Sequence, residues 1–209
     1  MSNLGYHLRR EGTGLRTRIG IRVVAVHFGI VAVFGVIFPW MRGIGFLEPV
    51  MISAYACLGV LFAGPAAAQA FGTERPQSMS EALARILLAV CYGEFMAVVI
   101  LLAGLMTVYT TRHFLFAPDL ETLAMAELFG VAASVAVAAI AGWITLHFSA
   151  GAARQAMRGL FLLLLVVFFY QSGWLPSVAG EGALFSLAIA AVAFVALRQE
   201  IESTSRSGA

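Results

Sequence analysis

Residues 71–85, FGTERPQSMSEALAR, form a polar hinge between two apolar runs, 49–71 and 86–109, each long enough to cross a bilayer. Pro76 interrupts the chain, and Ser78-x-x-Glu81 has the spacing of a capping box that restarts a helix near Met79. A break of this kind between two membrane-length runs predicts a pair of antiparallel spanning helices joined by a short elbow. The rest of the chain extends that pattern.

Composition agrees with this reading. The chain has 209 residues, of which 61% are hydrophobic and 11% charged, and its mean hydropathy is +0.91. Such values place it among integral membrane proteins. Six apolar segments can be drawn, at about 20–41, 49–71, 86–109, 124–148, 159–175 and 182–198. They lack the period-two alternation of barrel strands, so the expected fold class is all-α, a polytopic bundle of six transmembrane helices. The basic segment 1–18 precedes this domain (19–198), and the polar tail 199–209 reads as flexible. The first run is too long for a signal-peptide core and no small-x-small site follows it, which predicts an uncleaved first span.

Arginine sets the orientation, since all 13 basic residues are Arg. Arg9, Arg10, Arg16, Arg18, Arg22, Arg75, Arg85, Arg154, Arg158, Arg198 and Arg206 fall on one side of the six-span arrangement, and Arg42 and Arg112 on the other. By the positive-inside rule, both termini and the 71–85 elbow are cytoplasmic, and the chain is a multi-pass protein of the cytoplasmic (inner) membrane.

Other segments carry local chemistry. Pro118-Asp119 has the form of a helix start for the fourth span, with Asp119 as N-cap. The connection QSGWLPSVAGEG after the short fifth span reads either as partly re-entrant or as an interfacial turn anchored by Trp174. In the fourth span Gly130, Ser134, Ala138 and Gly142 recur every four residues, a stripe that allows close helix approach, with packing inside the chain favoured.

No P-loop, HExxH, GxSxG or dinucleotide-binding fingerprint occurs, so the chain is not expected to be an enzyme, and no cofactor, metal or nucleic acid is implied. Cys57 and Cys91 lie in apolar runs without metal spacing and read as small buried side chains. A haem between His27 and His147 is conceivable by depth, although lone histidines at span ends are more often interfacial. Glu94, about two turns into the third span, is the notable intramembrane carboxyl. A group at that depth faces the bundle, pairs or becomes protonated. The expected partner is a polar group on span 1 or 2, Gly93 gives close approach, and Tyr92 can offer a hydroxyl to a neighbouring helix. Glu127, by contrast, reads as interfacial.

Six spans, cytoplasmic termini and the elbow residues Phe71-Gly72-Thr73-Glu74-Arg75-Pro76-Gln77-Ser78 resemble the permease subunits of the type-2 ATP-binding-cassette exporters. In that family the corresponding loop carries Glu-Arg with Gly-Thr, Pro and Ser, and the order here is rearranged and shortened. The resemblance implies that Glu74, Arg75, Pro76, Ser78 and Glu81 form a coupling elbow that contacts a separately encoded ATPase. It also implies a homodimer, or a heterodimer with a second permease, embedded in the lipid bilayer. A non-catalytic structural or assembly subunit of a larger membrane complex is the alternative.

Overall fold

The computed structural model describes residues 4–8, 21–113, 120–171 and 175–207. Among them there is no strand, and the fold is all-helical. The first membrane helix is composite: α1 (Ile21–Ala32), a π-helical turn (Val33–Ile37) and α2 (Phe38–Arg42) run on into a 3₁₀ turn (Gly43–Leu47). The second is also in two pieces, α3 (Pro49–Ala56) and α4 (Gly59–Thr73). Four long helices follow: α5 (Met79–Arg112), α6 (Leu120–His147), α7 (Ala150–Gln171) and α8 (Leu175–Ser207).

Five stretches of the described chain are long and apolar enough to cross a membrane: Val26–Leu47, Pro49–Thr73, Met79–Arg112, Leu120–His147 and Ala179–Ser203. The segment expected as the fifth span, 159–175, is not among them. Its residues 159–171 lie in α7, whose first turns carry Arg154 and Arg158 and whose unbroken apolar run is Leu160–Phe169. Ten residues cover about 15 Å at 1.5 Å per residue, half of a hydrocarbon core.

Small residues concentrate on the inward face of α6, beside a core that also holds Phe46, Tyr55, Phe62 and Phe71. The inward face of α6 consists of Ala126, Gly130, Ala132, Ser134, Ala136, Ala138, Ala139, Ala141 and Gly142, with Thr145 and Leu146 at its end. Phe28, Met41, Phe95, Leu184, Phe185 and Val192 point outward, each more than three-fifths exposed. In water such a surface would drive aggregation. Against lipid tails it costs nothing, and small interior residues let backbones approach for van der Waals contact.

α6 is the central helix, packed along α8 on one side and α4 on the other. Two members of the small-residue stripe lie where the second membrane helix approaches α6. Gly130 lies on the backbone of Ala56 and Cys57, and Gly142 lies on the ring of Phe71. α6 and α8 are parallel: Gly182 abuts Phe129 near their starts, and His147 Nδ1 lies 3.1 Å from Glu200 Oε2 near their ends. The chain must therefore return the length of the bundle between them. α7, with 22 residues or about 33 Å, is that return.

Two local features have identifiable causes. Pro39 has no N–H to give to the carbonyl of Gly35, and the helix widens into a π turn just before it. Side chains from neighbouring helices replace the lost donors: Tyr55 Oη donates to Phe34 O at 2.6 Å, and Thr107 Oγ1 donates to Gly35 O at 3.0 Å. The C-terminal tail, expected to be flexible from 199, instead continues α8 to Ser207. Ile201 packs on the core beside Leu197, and Arg198 donates to Glu202 one turn on. From Leu175, the connection read as re-entrant or interfacial forms the first turns of α8. Trp174, like Pro118 and Asp119, lies outside the described residues.

Candidate functional site

Among the described residues, polar side chains gather at the elbow at one end of the bundle and at a junction of three helices inside it.

At the elbow, α4 ends at Thr73 and Glu74 is extended. Ser78 is the N-cap of α5, its Oγ accepting from Glu81 N–H at 3.3 Å, as the capping-box spacing predicts. The Glu81 carboxylate reaches one residue further back than in the usual box and accepts from Gln77 N–H at 2.9 Å. Its other oxygen accepts from Arg85 Nη2 at 2.8 Å. Arg85 Nη1 also donates to Ala70 O at 3.0 Å and to Glu74 O. One guanidinium thus closes the carbonyl end of α4, which has no intrahelical donors, and ties it to the start of α5.

Arg85 and Glu81 are 2% and 4% exposed, so this pair is internal. That corrects part of the expected partner-contact set. Glu81 is spent on Arg85 and the cap, Pro76 is buried, and Ser78 is half-buried on its capping bond. The exposed ridge is Gly72, Thr73, Glu74, Arg75 and Gln77. Arg75 leans across it to donate to Leu146 O of α6 at 3.3 Å. Sequence reasoning counted Arg85 only as a positive charge, although Glu81-x-x-x-Arg85 has the i, i+4 spacing of a helix ion pair.

The interior junction forms where the second membrane helix is broken. Cys57 and Leu58 are a turn between α3 and α4, with tightened i to i−3 backbone bonds at Leu58 (3.1 Å) and Leu61 (3.0 Å). Gly59 follows the break, and Gly93 of α5 packs against it. A Cβ on Gly93 would lie 2.5 Å from Gly59 O and 3.0 Å from Ala63 N. The Glu94 carboxyl occupies the space beside the Gly59 Cα, with Cδ 2.6 Å from where a Cβ would stand. Glu94 therefore points into the bundle, as expected.

Its surroundings differ from the expectation. The facing polar side chain is Ser134 of α6, not a group on the first or second span, and it acts on Glu94 without closing a hydrogen bond. Ser134 is 0% exposed, and neither its Oγ nor either Glu94 oxygen has a hydrogen-bond partner. Glu127, read as interfacial, is half-buried on the face of α6 that carries Ser134, two turns away, and its charge acts on Glu94. The Cys57 thiol donates to Ala126 O at 3.5 Å. Cys91, expected to be buried, is on the outer surface of the bundle. The mutual geometry of Glu94, Glu127 and Ser134 depends on how α5 and α6 pack, which no local pattern encodes.

The histidines are engaged separately. His27 of α1 hydrogen-bonds the Tyr92 hydroxyl, fulfilling the expectation for Tyr92, while His147 meets Glu200 and stacks on Trp143. Among the described residues, no three His, Cys, Asp or Glu side chains converge as metal ligands. No family model matches the chain, and no curated protein or solved structure matches it either.

Proposed function

We propose that the chain is a permease-like subunit of an exporter in the cytoplasmic membrane, crossing it six times, with both termini and the elbow inside. It works with a separately encoded ATPase and pairs with a second copy or a second permease. The sixth crossing is α7: the parallel arrangement of α6 and α8 favours it even though its apolar run is short. Thirteen arginines divided eleven to two support the orientation.

The observation that carries the partner reading is the elbow. Its exposed ridge, Gly72–Arg75 with Gln77, stands on a base fixed by the buried Arg85–Glu81 pair. A rigid, charged projection is what transmission of force between a soluble motor and a membrane bundle requires. Reversing the exposed charge, Arg75→Glu, is expected to shift stability by at most about 1 kcal/mol, since exposed charges contribute little. At an interface the same reversal weakens docking, because charge complementarity sets orientation and pairing. Affinity purification of the tagged chain from its native membrane is expected to bring down a P-loop ATPase, and Arg75→Glu to lose it. Absence of any such ATPase from the wild-type sample would remove the basis of this reading.

The alternative, a non-catalytic subunit of a larger membrane complex, is favoured by the extent to which the elbow satisfies itself. Arg75 caps α6, and Glu81 and Arg85 answer each other. In that case the same purification yields a stable set of membrane subunits without a motor.

A further inference from the structure

We propose that Glu94 is an intramembrane proton-binding site, its carboxyl taking up and releasing one proton at the break in the second membrane helix. This inference does not rest on the ATPase reading. It starts from two unmet groups. Both Glu94 oxygens are shut off from the surface without a closed hydrogen bond, and the one polar side chain facing them, the Ser134 hydroxyl, is completely buried and has no other partner. A carboxylate in an apolar interior is costly unless it is paired, hydrogen-bonded or neutralised.

The neighbours supply no positive charge. From the break comes the Cys57 thiol, which is given to Ala126 O. From α6 comes Glu127, which would repel a carboxylate at Glu94. His27 of α1 hydrogen-bonds Tyr92 and makes no bond to Glu94. Neutralisation must therefore come from a small cation. A metal ion needs a shell of several ligands, and no third His, Cys, Asp or Glu ligand converges here among the described residues. The carboxyl is also pressed onto Gly59 too closely for a methyl group to fit between them. A proton needs no shell. It neutralises the carboxyl and converts one oxygen into a donor that Ser134 Oγ can accept, while the Ser134 hydroxyl can donate in turn to the ionised carboxylate, so the pair has a hydrogen bond available in either protonation state.

The site is built to exchange as well as to hold. Glu94 is half-buried as a residue, with its carboxyl oxygens covered. Glu127 is seven residues along the same helix face from Ser134, about 10 Å nearer the Leu120 end of α6, and is itself half-buried. It is the next proton-carrying group toward that end. On release the O–H bond of Glu94 breaks, both electrons stay on the carboxylate, and the proton passes to water. Uptake is the reverse, from hydronium, and nothing is oxidised or reduced.

The test is reaction of the full-length protein, in phosphatidylcholine vesicles, with the apolar reagent dicyclohexylcarbodiimide. This reagent adds to the protonated carboxyl, and the adducts are located by peptide mass spectrometry across a pH series. The expected result is an adduct at Glu94 whose initial rate falls by about tenfold per pH unit above its titration midpoint. The adduct is lost in Glu94→Gln and kept in Glu94→Asp. No adduct at Glu94 at any pH, or a rate indifferent to pH while Glu127 in the same sample responds, would overturn the proposal. If Glu94→Gln fails to fold, the wild-type pH series decides alone. Infrared difference spectra over the same range provide a second readout: a carboxylic-acid carbonyl band that disappears on alkalinisation, and whose frequency shifts in Ser134→Ala, is required.

Discussion

Arg85→Ala is expected to destabilise the protein by about 3–5 kcal/mol, enough to prevent accumulation of a folded bundle. The reason lies in what remains after truncation. Glu81 stays in place, 4% exposed, as a buried carboxylate without its cation. The Ala70 and Glu74 carbonyls lose the guanidinium that closes the end of α4. Arg85→Lys recovers part of the loss, because an ammonium can meet one acceptor well but cannot fork to Glu81 and two carbonyls together. The double variant Arg85→Met with Glu81→Gln removes both charges and is expected to regain more than either single variant, since the penalty comes from an unpaired buried ion. Thermal unfolding in detergent, with the four proteins side by side, reads this order directly.

The second large effect is at Gly93. Gly93→Ala places a methyl group 2.5 Å from Gly59 O and 3.0 Å from Ala63 N, against backbone that has no rotamer to give. Overpacking of this kind costs about 1–3 kcal/mol, and Gly93→Leu goes beyond it by forcing α5 away from α4. Loss is expected in two measurements together, unfolding temperature and carbodiimide reactivity at Glu94, because separating these helices also exposes the carboxyl. Gly29, with nothing near its Cα, is the control: Gly29→Ala is expected to leave both unchanged.

Features with a local chemical cause were legible in the sequence. The Ser78 cap, the helix restart at Met79 and the small-residue stripe of α6 each depend on residues within a few positions of one another. Tyr92 was read as a bridging hydroxyl because an otherwise apolar helix gives it few alternatives, and it meets His27. Contacts between distant segments were not legible. Nothing within 49–71 marks Cys57–Leu58 as a break, and Pro65, the residue of that run least suited to a helix interior, lies inside the continuous helix α4. A uniformly apolar segment has no polar face to show which way it points, so the sequence does not set Glu94 against α6 rather than the first or second span. The fifth apolar run is visibly short in the sequence, but that α7 gains its length from a first half bearing Arg154 and Arg158 is not.

The proposed function requires a bundle embedded in a bilayer with the elbow on the cytoplasmic side. The most direct test is a single reporter at Gln77, which is exposed at the tip of the elbow. In a variant with Cys57 and Cys91 replaced, Gln77→Cys is treated in intact cells and in inverted membrane vesicles with a membrane-impermeant maleimide. Labelling in inverted vesicles and protection in intact cells is the predicted result. Labelling in intact cells would contradict the orientation and remove the ATPase-facing elbow with it.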